Sequence, residues 1–178
     1  MAEPMERQGR HFQEELEHLK TRLLEMGGLA EEQVQLAVKA LVDRDRDLIE
    51  RVLQNDEPIN KLHIEIDGRC FTLLALHQPM AVDLRAIVSA VKINTDLERV
   101  GDLAINIAEA ARRYAQHPAV KKLIDIPRMA TIEPALDLIL ISRHLERIGD
   151  HATNVAEDVI FMVSARDVRH HAGDQASI

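Results

Sequence analysis

The sequence predicts an all-α protein, an antiparallel bundle of four long helices. Three observations carry that reading. Hydrophobic residues make up 46 % of the 178 positions, yet aromatic residues only 2 %, with no Trp and seven Gly. Strand-rich domains lean on aromatic and β-branched residues, so a sandwich or barrel is disfavoured. Apolar residues recur at spacings of three and four along most of the chain, and two stretches repeat one another.

The elements follow in order. Residues 1–10 are polar and are expected to fray. From Phe12 the apolar positions Phe12, Leu16, Leu19, Leu23 and Met26 mark one helical face. Gly27-Gly28 oppose it by about 1 kcal/mol each. The pattern then resumes at Ala30, Val34, Ala37, Val38 and Leu41, giving a long helix, bent or straight, over 11–43. A second helix is expected over 45–77, kinked or divided near Asp56 by Pro58. Gln78-Pro79 turns the chain into a third helix over 80–115. Residues 116–127, with Pro118 and Pro127, form a connection. A fourth helix spans 131–164 and tolerates Pro134 in its first turn. The tail, 166–178, is expected to be disordered.

Charge and cysteine content narrow the function. A net charge of −8 argues against nucleic acid, whose phosphates need a cationic footprint. It suits cations and basic partner surfaces. The single cysteine, Cys70, allows no internal disulfide and fits a reducing cytoplasm. The first residues, MAEPMERQGRHFQEELEH, contain no apolar signal-peptide core. No apolar run reaches the roughly 18 residues of a spanning helix, so direct membrane insertion is not expected.

The repeat is the most informative feature. Residues 93–109 read INTDLERVGDLAINIAE and residues 141–157 read ISRHLERIGDHATNVAE, with ten identities in seventeen positions. About one identity would arise by chance at average composition. The third and fourth helices therefore carry the same cassette.

At about 100° per residue, Glu98, Asp102, Asn106 and Glu109 share one stripe of the third helix. Glu146, Asp150, Asn154 and Glu157 share the matching stripe of the fourth. A solvated acidic face is the plain alternative. Against it, Leu84, Ile87 and Val91 occupy the azimuth that Glu98 and Asp102 take over, and Ile132, Ala135 and Ile139 lead likewise into Glu146 and Asp150. An apolar stripe that turns acidic suggests a covered or grooved surface. Stacked carboxylates there would take a cation such as Mg²⁺, Mn²⁺, Ca²⁺ or iron. The main apolar stripe of the third helix, through Ile93, Leu97, Val100, Ala104 and Ile107, lies roughly opposite.

Other residues have plainer readings. Gly101 and Gly149 mark tight helix packing more readily than room for an ion. Arg99 and Arg147 can pair with Asp102 and Asp150 at i,i+3. His63 and Asp67 stand at i,i+4 and either join a site or sit on the surface. Glu15 and His18 match one half of a di-iron Glu-x-x-His pair, but a bundle of that type uses two. Cys70 reads as a small core hydrophobe. No phosphate loop, nucleophile elbow or Cys-x-x-Cys pair occurs, so no enzyme activity is expected.

These residues resemble the PhoU family of bacterial phosphate-signalling proteins. The resemblance rests on LERVGDLAINIAE, LERIGDHATNVAE, the upstream HQPMAVDLRAIVSAVKINTDLER and the N-terminal FQEELEHLKTRLLEMGGLAEEQV. It implies two three-helix bundles in tandem: a first repeat over 11–117 and a shortened second repeat over 126–165, mainly its last helix. Roughly fifty residues corresponding to two helices are missing near Ala130–Thr131. The resemblance implies metal (Fe, Mn, Mg or Zn) at Glu98-x-x-x-Asp102 and Glu146-x-x-x-Asp150, with Asn106, Asn154 and Asp67 as neighbours. Asn60 and His63 stand where acids are more usual. It also implies a non-enzymatic negative regulator of phosphate uptake and the phosphate-starvation response. Its partners would be the ATPase subunit of the phosphate ABC transporter and a sensor histidine kinase. The alternatives are a metal-binding carboxylate bundle, for storage or di-metal catalysis, and a metal-free helical scaffold. The fourth helix, short of packing partners, would expose Leu138, Ile141, Leu145 and Ile148 and favour a homodimer.

Overall fold

A computed structural model describes residues 4–55, 57–117 and 132–168. It contains five helices among these residues: α1 (Pro4–Asp43), α2 (Arg46–Gln54), α3 (Glu57–His77), α4 (Ala81–Tyr114) and α5 (Ile132–Ser164). Most of the connection expected over 116–127 and of the tail over 166–178 lies outside the described residues.

Helix α1 starts earlier than the apolar pattern does. Pro4 takes the first helical position, where a missing N–H costs nothing, so positions 4–10 are helical rather than frayed; residues 1–3 lie outside the described residues. The helix also continues through Gly27 and Gly28. Around that point Leu19, Met26 and Ala30 are all but fully buried. Burial of side chains such as Leu19 and Met26 is worth roughly 1.5–3 kcal/mol each, more than the glycines cost.

Pro58 divides the second predicted helix rather than kinking it. Helix α2 has its own N-cap: the Asp45 carboxylate accepts hydrogen bonds from the N–H groups of Asp47 and Leu48, at 3.0 and 3.1 Å. Helix α3 then starts afresh, with Pro58 in its first turn. At the α1–α2 corner, Arg44 adopts a left-handed backbone with φ 53°. Its guanidinium donates to the carbonyls of Tyr114, at 3.0 Å, and His117, and lies 4.7 Å from the Tyr114 ring centre. The corner is thereby tied to the far end of α4.

Cross-helix pairs give the topology. Arg22 meets Glu65, and Glu15 meets Arg69, so α1 and α3 are antiparallel. Asn94 meets His63 and Asp67, while Gly101 meets Ile59, so α3 and α4 are antiparallel too. Helix α5 returns along α4. Its contacts run from Arg85 with the Met162 carbonyl at one end to Arg113 with Asp137 at the other.

Two core layers stack inside the bundle. One joins Leu16, Leu19, Met26, Ile59, Ile66 and Ile87 with their neighbours. The other is rich in alanine, with Ala37, Ala104, Ala108 and Ala111 around Ile49, Val52 and Ile107. The stripe expected on the third helix is the buried one: Ile93, Val100, Ala104 and Ile107 are in the core, with Leu97 packed against it. Cys70 is fully buried in α3, and burial and the nearby Asp67 charge push its thiol pKa up to about 12.

Candidate functional site

The first acidic ladder lies along the rim of α4. Glu98 and Asp102 are half-buried, whereas Asn106 and Glu109 are exposed. Arg99 lies beside both acids, 3.6 Å from Glu98 and 3.4 Å from Asp102, so the expected i,i+3 pair forms. One turn earlier, Asn94 is fully buried against α3. Its amide donates to the Asp67 carboxylate at 2.9 Å and to the His63 carbonyl at 3.0 Å. The His63 ring stands 3.8 Å from Asp67. Asp67 thus faces α4 in a cross-helix polar cluster one turn from Glu98.

The second ladder is more open. Glu146, Asp150 and Asn154 are exposed on α5, and Glu157 is half-buried. The groove expected from the apolar residues leading into each ladder holds only in part. On α4 Ile87 is buried and Val91 is packed against the core, but Leu84 is exposed. On α5 Ile132, Ala135 and Ile139 are all exposed, and no described helix covers them. The expected α5 stripe also needs correction. Ile141 is buried and Ile148 packs against the core, so only Leu138 and Leu145 of that set are exposed.

Sequence reasoning missed the seam between α4 and α5. The ring nitrogen Nδ1 of His151 lies 2.7 Å from the Asp96 carboxylate, which accepts its hydrogen bond. The Asn154 amide approaches the same oxygen at 3.5 Å. Further along, Lys92 pairs with the buried Asp158 at 3.5 Å. Asp96, Asn154, Lys92 and Asp158, with Val91 and Thr95, line an open groove of about 390 Å³. Arg113 meets the buried Asp137 at 3.0 Å. The signal was present in the differences between the two cassettes: His151 replaces Leu103, and Asp158 stands opposite Ala110.

The structure therefore brings Asp67 to α4 and Asn154 to Asp96. Among the described residues, no three His, Cys, Asp or Glu side chains gather into a group that could hold a metal ion. Each Glu-x-x-x-Asp pair offers two carboxylates on one helix. Two features also set the electrostatics. Arg22 grips the Glu65 carboxylate at 3.0 and 2.6 Å, and its hydrogen bond holds Glu65 below the usual carboxylate range. Burial, then the charges of Arg147, Arg113 and Arg143, push the His144 imidazole pKa down.

A helical bundle with two copies of an acidic cassette on neighbouring long helices defines a repeat protein. A family profile described as "PhoU domain" matches residues 23–111 and 115–159, and the chain belongs to the PhoU family. The phosphate-specific transport system accessory protein PhoU homolog of Aquifex aeolicus is 41 % identical over 118 residues, covering 66 % of this chain and 53 % of that protein. The Caulobacter vibrioides homolog is 47 % identical over 100 residues, covering 56 % and 44 %. The crystal structure of PhoU from Pseudomonas aeruginosa superposes with a TM-score of 0.77 at 31 % identity, covering 87 % of this chain and 100 % of that one. The chain spans about half the length of the curated relatives it matches. No helix among the described residues is long and apolar enough to cross a membrane.

Proposed function

We propose that this chain is a cytoplasmic, non-enzymatic regulator of phosphate uptake. It binds the ATPase subunit of a phosphate ABC transporter and a sensor histidine kinase, and it represses the phosphate-starvation response when phosphate is plentiful. The observation that carries this reading is the doubled LER-x-GD-x-A-x-N cassette within the matched PhoU regions. Its acids lie at the molecular surface, where they suit basic partner faces. The test is deletion of the gene, followed by phosphatase expression in phosphate-rich medium. Starvation genes should stay on. Normal repression, in a genome without another family member, would refute the reading.

Metal at the cassettes is part of the proposal. Glu98 and Asp102, and Glu146 and Asp150, would each supply two hard oxygen ligands, with Asn106, Asn154 and Asp67 nearby. Further donors would come from those neighbours, from water or from a partner, since among the described residues no three His, Cys, Asp or Glu side chains gather. Calorimetric titration of metal-stripped protein with Mn²⁺, Fe and Zn²⁺ should show binding that weakens in Glu98→Ala/Asp102→Ala. Identical isotherms would favour the metal-free scaffold, which the Arg99 pairing to both acids supports.

A further inference from the structure

The contacts between α1 and α3 form a ladder of layers. Arg22 meets Glu65, and one layer further out Glu15 meets Arg69, which also holds Glu65 at 3.0 Å. The outermost layer, near the start of α1 and the end of α3, sets His11 against His77. Their ring centres lie 6.5 Å apart with the planes at 68°. Phe12, buried beneath, packs on His77 with ring centres 5.0 Å apart. Both imidazoles line an open groove of about 490 Å³, together with Glu15 and Glu65. The inner layers pair a cation with a carboxylate. The outer layer instead faces two imidazoles, which repel once protonated but can share a metal ion.

We propose that this layer binds a divalent transition metal that favours imidazole nitrogen (Cu²⁺, Ni²⁺ or Zn²⁺), held between His11 and His77. With metal–nitrogen bonds of about 2.0–2.1 Å, a metal lies roughly 3.2 Å from each ring centre, so two rings that share one stand about 4.5–6.4 Å apart. The observed separation is at the outer edge of that range, and a side-chain rotation at the exposed His11 closes the gap. His77 is already wedged on Phe12, and the ion-pair ladder fixes the spacing of the two helices. The metal therefore has one imidazole to order rather than two. Two imidazoles are fewer than the three side chains of a full cluster, so water completes the coordination. Glu15, one turn along α1 in the same groove, adds negative charge beside it. Imidazole donors select these ions over the hard cations that suit the carboxylate ladders, so the two sites differ in chemistry as well as place. Bound metal ties the opening turns of α1 to the end of α3, whatever the chain regulates.

The test titrates the whole metal-stripped chain carrying His170→Ala/His171→Ala, because imidazoles adjacent in sequence bind the same ions. Cu²⁺, Ni²⁺ and Zn²⁺ should each bind, Cu²⁺ most tightly, and Mg²⁺ should not compete. His11→Gln and His77→Gln should each weaken Cu²⁺ binding roughly tenfold or more. His18→Gln, at an exposed histidine outside the groove, should leave it unchanged. So should Glu98→Ala/Asp102→Ala, which removes the first carboxylate ladder; the two metal sites thus stand or fall separately. Because His77 packs on Phe12, folding of each variant is checked by circular dichroism. A second measurement places the metal without any change at the site: Cu²⁺ should broaden the NMR signals of the His11 and His77 rings before those of other histidines. Absence of Cu²⁺ binding, an affinity indifferent to His11→Gln, an equal loss with His18→Gln, or first broadening at another histidine would each overturn the proposal.

Discussion

Gly101 and Gly149 occupy equivalent places in two copies of one cassette, yet only Gly101 has a neighbour. A methyl group on Gly101 would lie 3.0 Å from Cδ1 and 3.4 Å from Cγ2 of Ile59. The same methyl on Gly149 would meet open space. Both replacements gain about 1 kcal/mol of helix propensity, but overpacking a core costs roughly 1–3 kcal/mol. Gly149→Ala should therefore raise stability by up to about 1 kcal/mol, measured by denaturant unfolding. Gly101→Ala should lower it by about 1 kcal/mol. Ile59→Val, which deletes the Cδ1 atom, should make Gly101→Ala less costly; strictly additive effects would count against this packing account.

The His151–Asp96 contact makes a second prediction. His151→Leu restores the residue that the first cassette carries at Leu103, and so leaves the largely buried Asp96 carboxylate without its closest partner. The expected cost is about 1–3 kcal/mol. Amide exchange should speed up in α5 well before it changes in α1 or α3. Removing both partners, as Asp96→Ala/His151→Leu, should cost less than the two single changes together.

Acid should destabilise the fold in two stages. The folded protein holds a proton on His144 less tightly than the unfolded chain does, because of burial and then Arg147, Arg113 and Arg143. The unfolded state thus binds more protons, and stability falls as pH drops through the free imidazole value of about 6.5. Glu65 is depressed chiefly by its hydrogen bond from Arg22. Its contribution is present above the free carboxylate value of about 4.3 and fades as pH falls toward the folded value. His144→Gln should flatten the upper stage and Glu65→Gln the lower, in denaturation midpoints followed against pH.

Cys70 should be a reporter of unfolding. A fully buried thiol whose pKa is pushed up to about 12 supplies almost no thiolate at neutral pH. Thiol reagents should modify the native protein slowly, and the rate should rise with denaturant in step with loss of helix signal. Fast labelling of the native chain would contradict this burial.

Much of the bundle was legible because helices announce themselves every three to four residues. Phe12, Leu16, Leu19, Leu23 and Met26 on α1 are all core residues, and Pro58 marks the real boundary between α2 and α3. The acidic ladders were legible as stripes for the same reason. What one helix's periodicity cannot show is which turn of a neighbour it meets. The periodicity of α4 does not single out Asp96 and Lys92; it is α5 that brings His151 and Asp158 opposite them. Ile141 and Ile148 looked exposed because the pattern does not say that α5 lies along α4 on that side. The spacing from His63 singles out Asp67, but its closest hydrogen bond comes from Asn94, 27 positions away on the next helix.

The antiparallel run of α5 along α4 also decides how the molecule yields to a mechanical load. A pull on the C-terminal end of α5 acts on one pairing layer at a time. The Met162 carbonyl leaves Arg85 first, then Asp158 leaves Lys92, then His151 leaves Asp96, and Asp137 leaves Arg113 last. This is an unzipping geometry, in which force is never shared across the whole contact. A load applied along α1 against α4, which run in the same direction, would instead strain their layers together. Traction on the C-terminal end of α5 would therefore lift the second cassette from α4 layer by layer and leave the contacts of α4 with α1 and α3 in place.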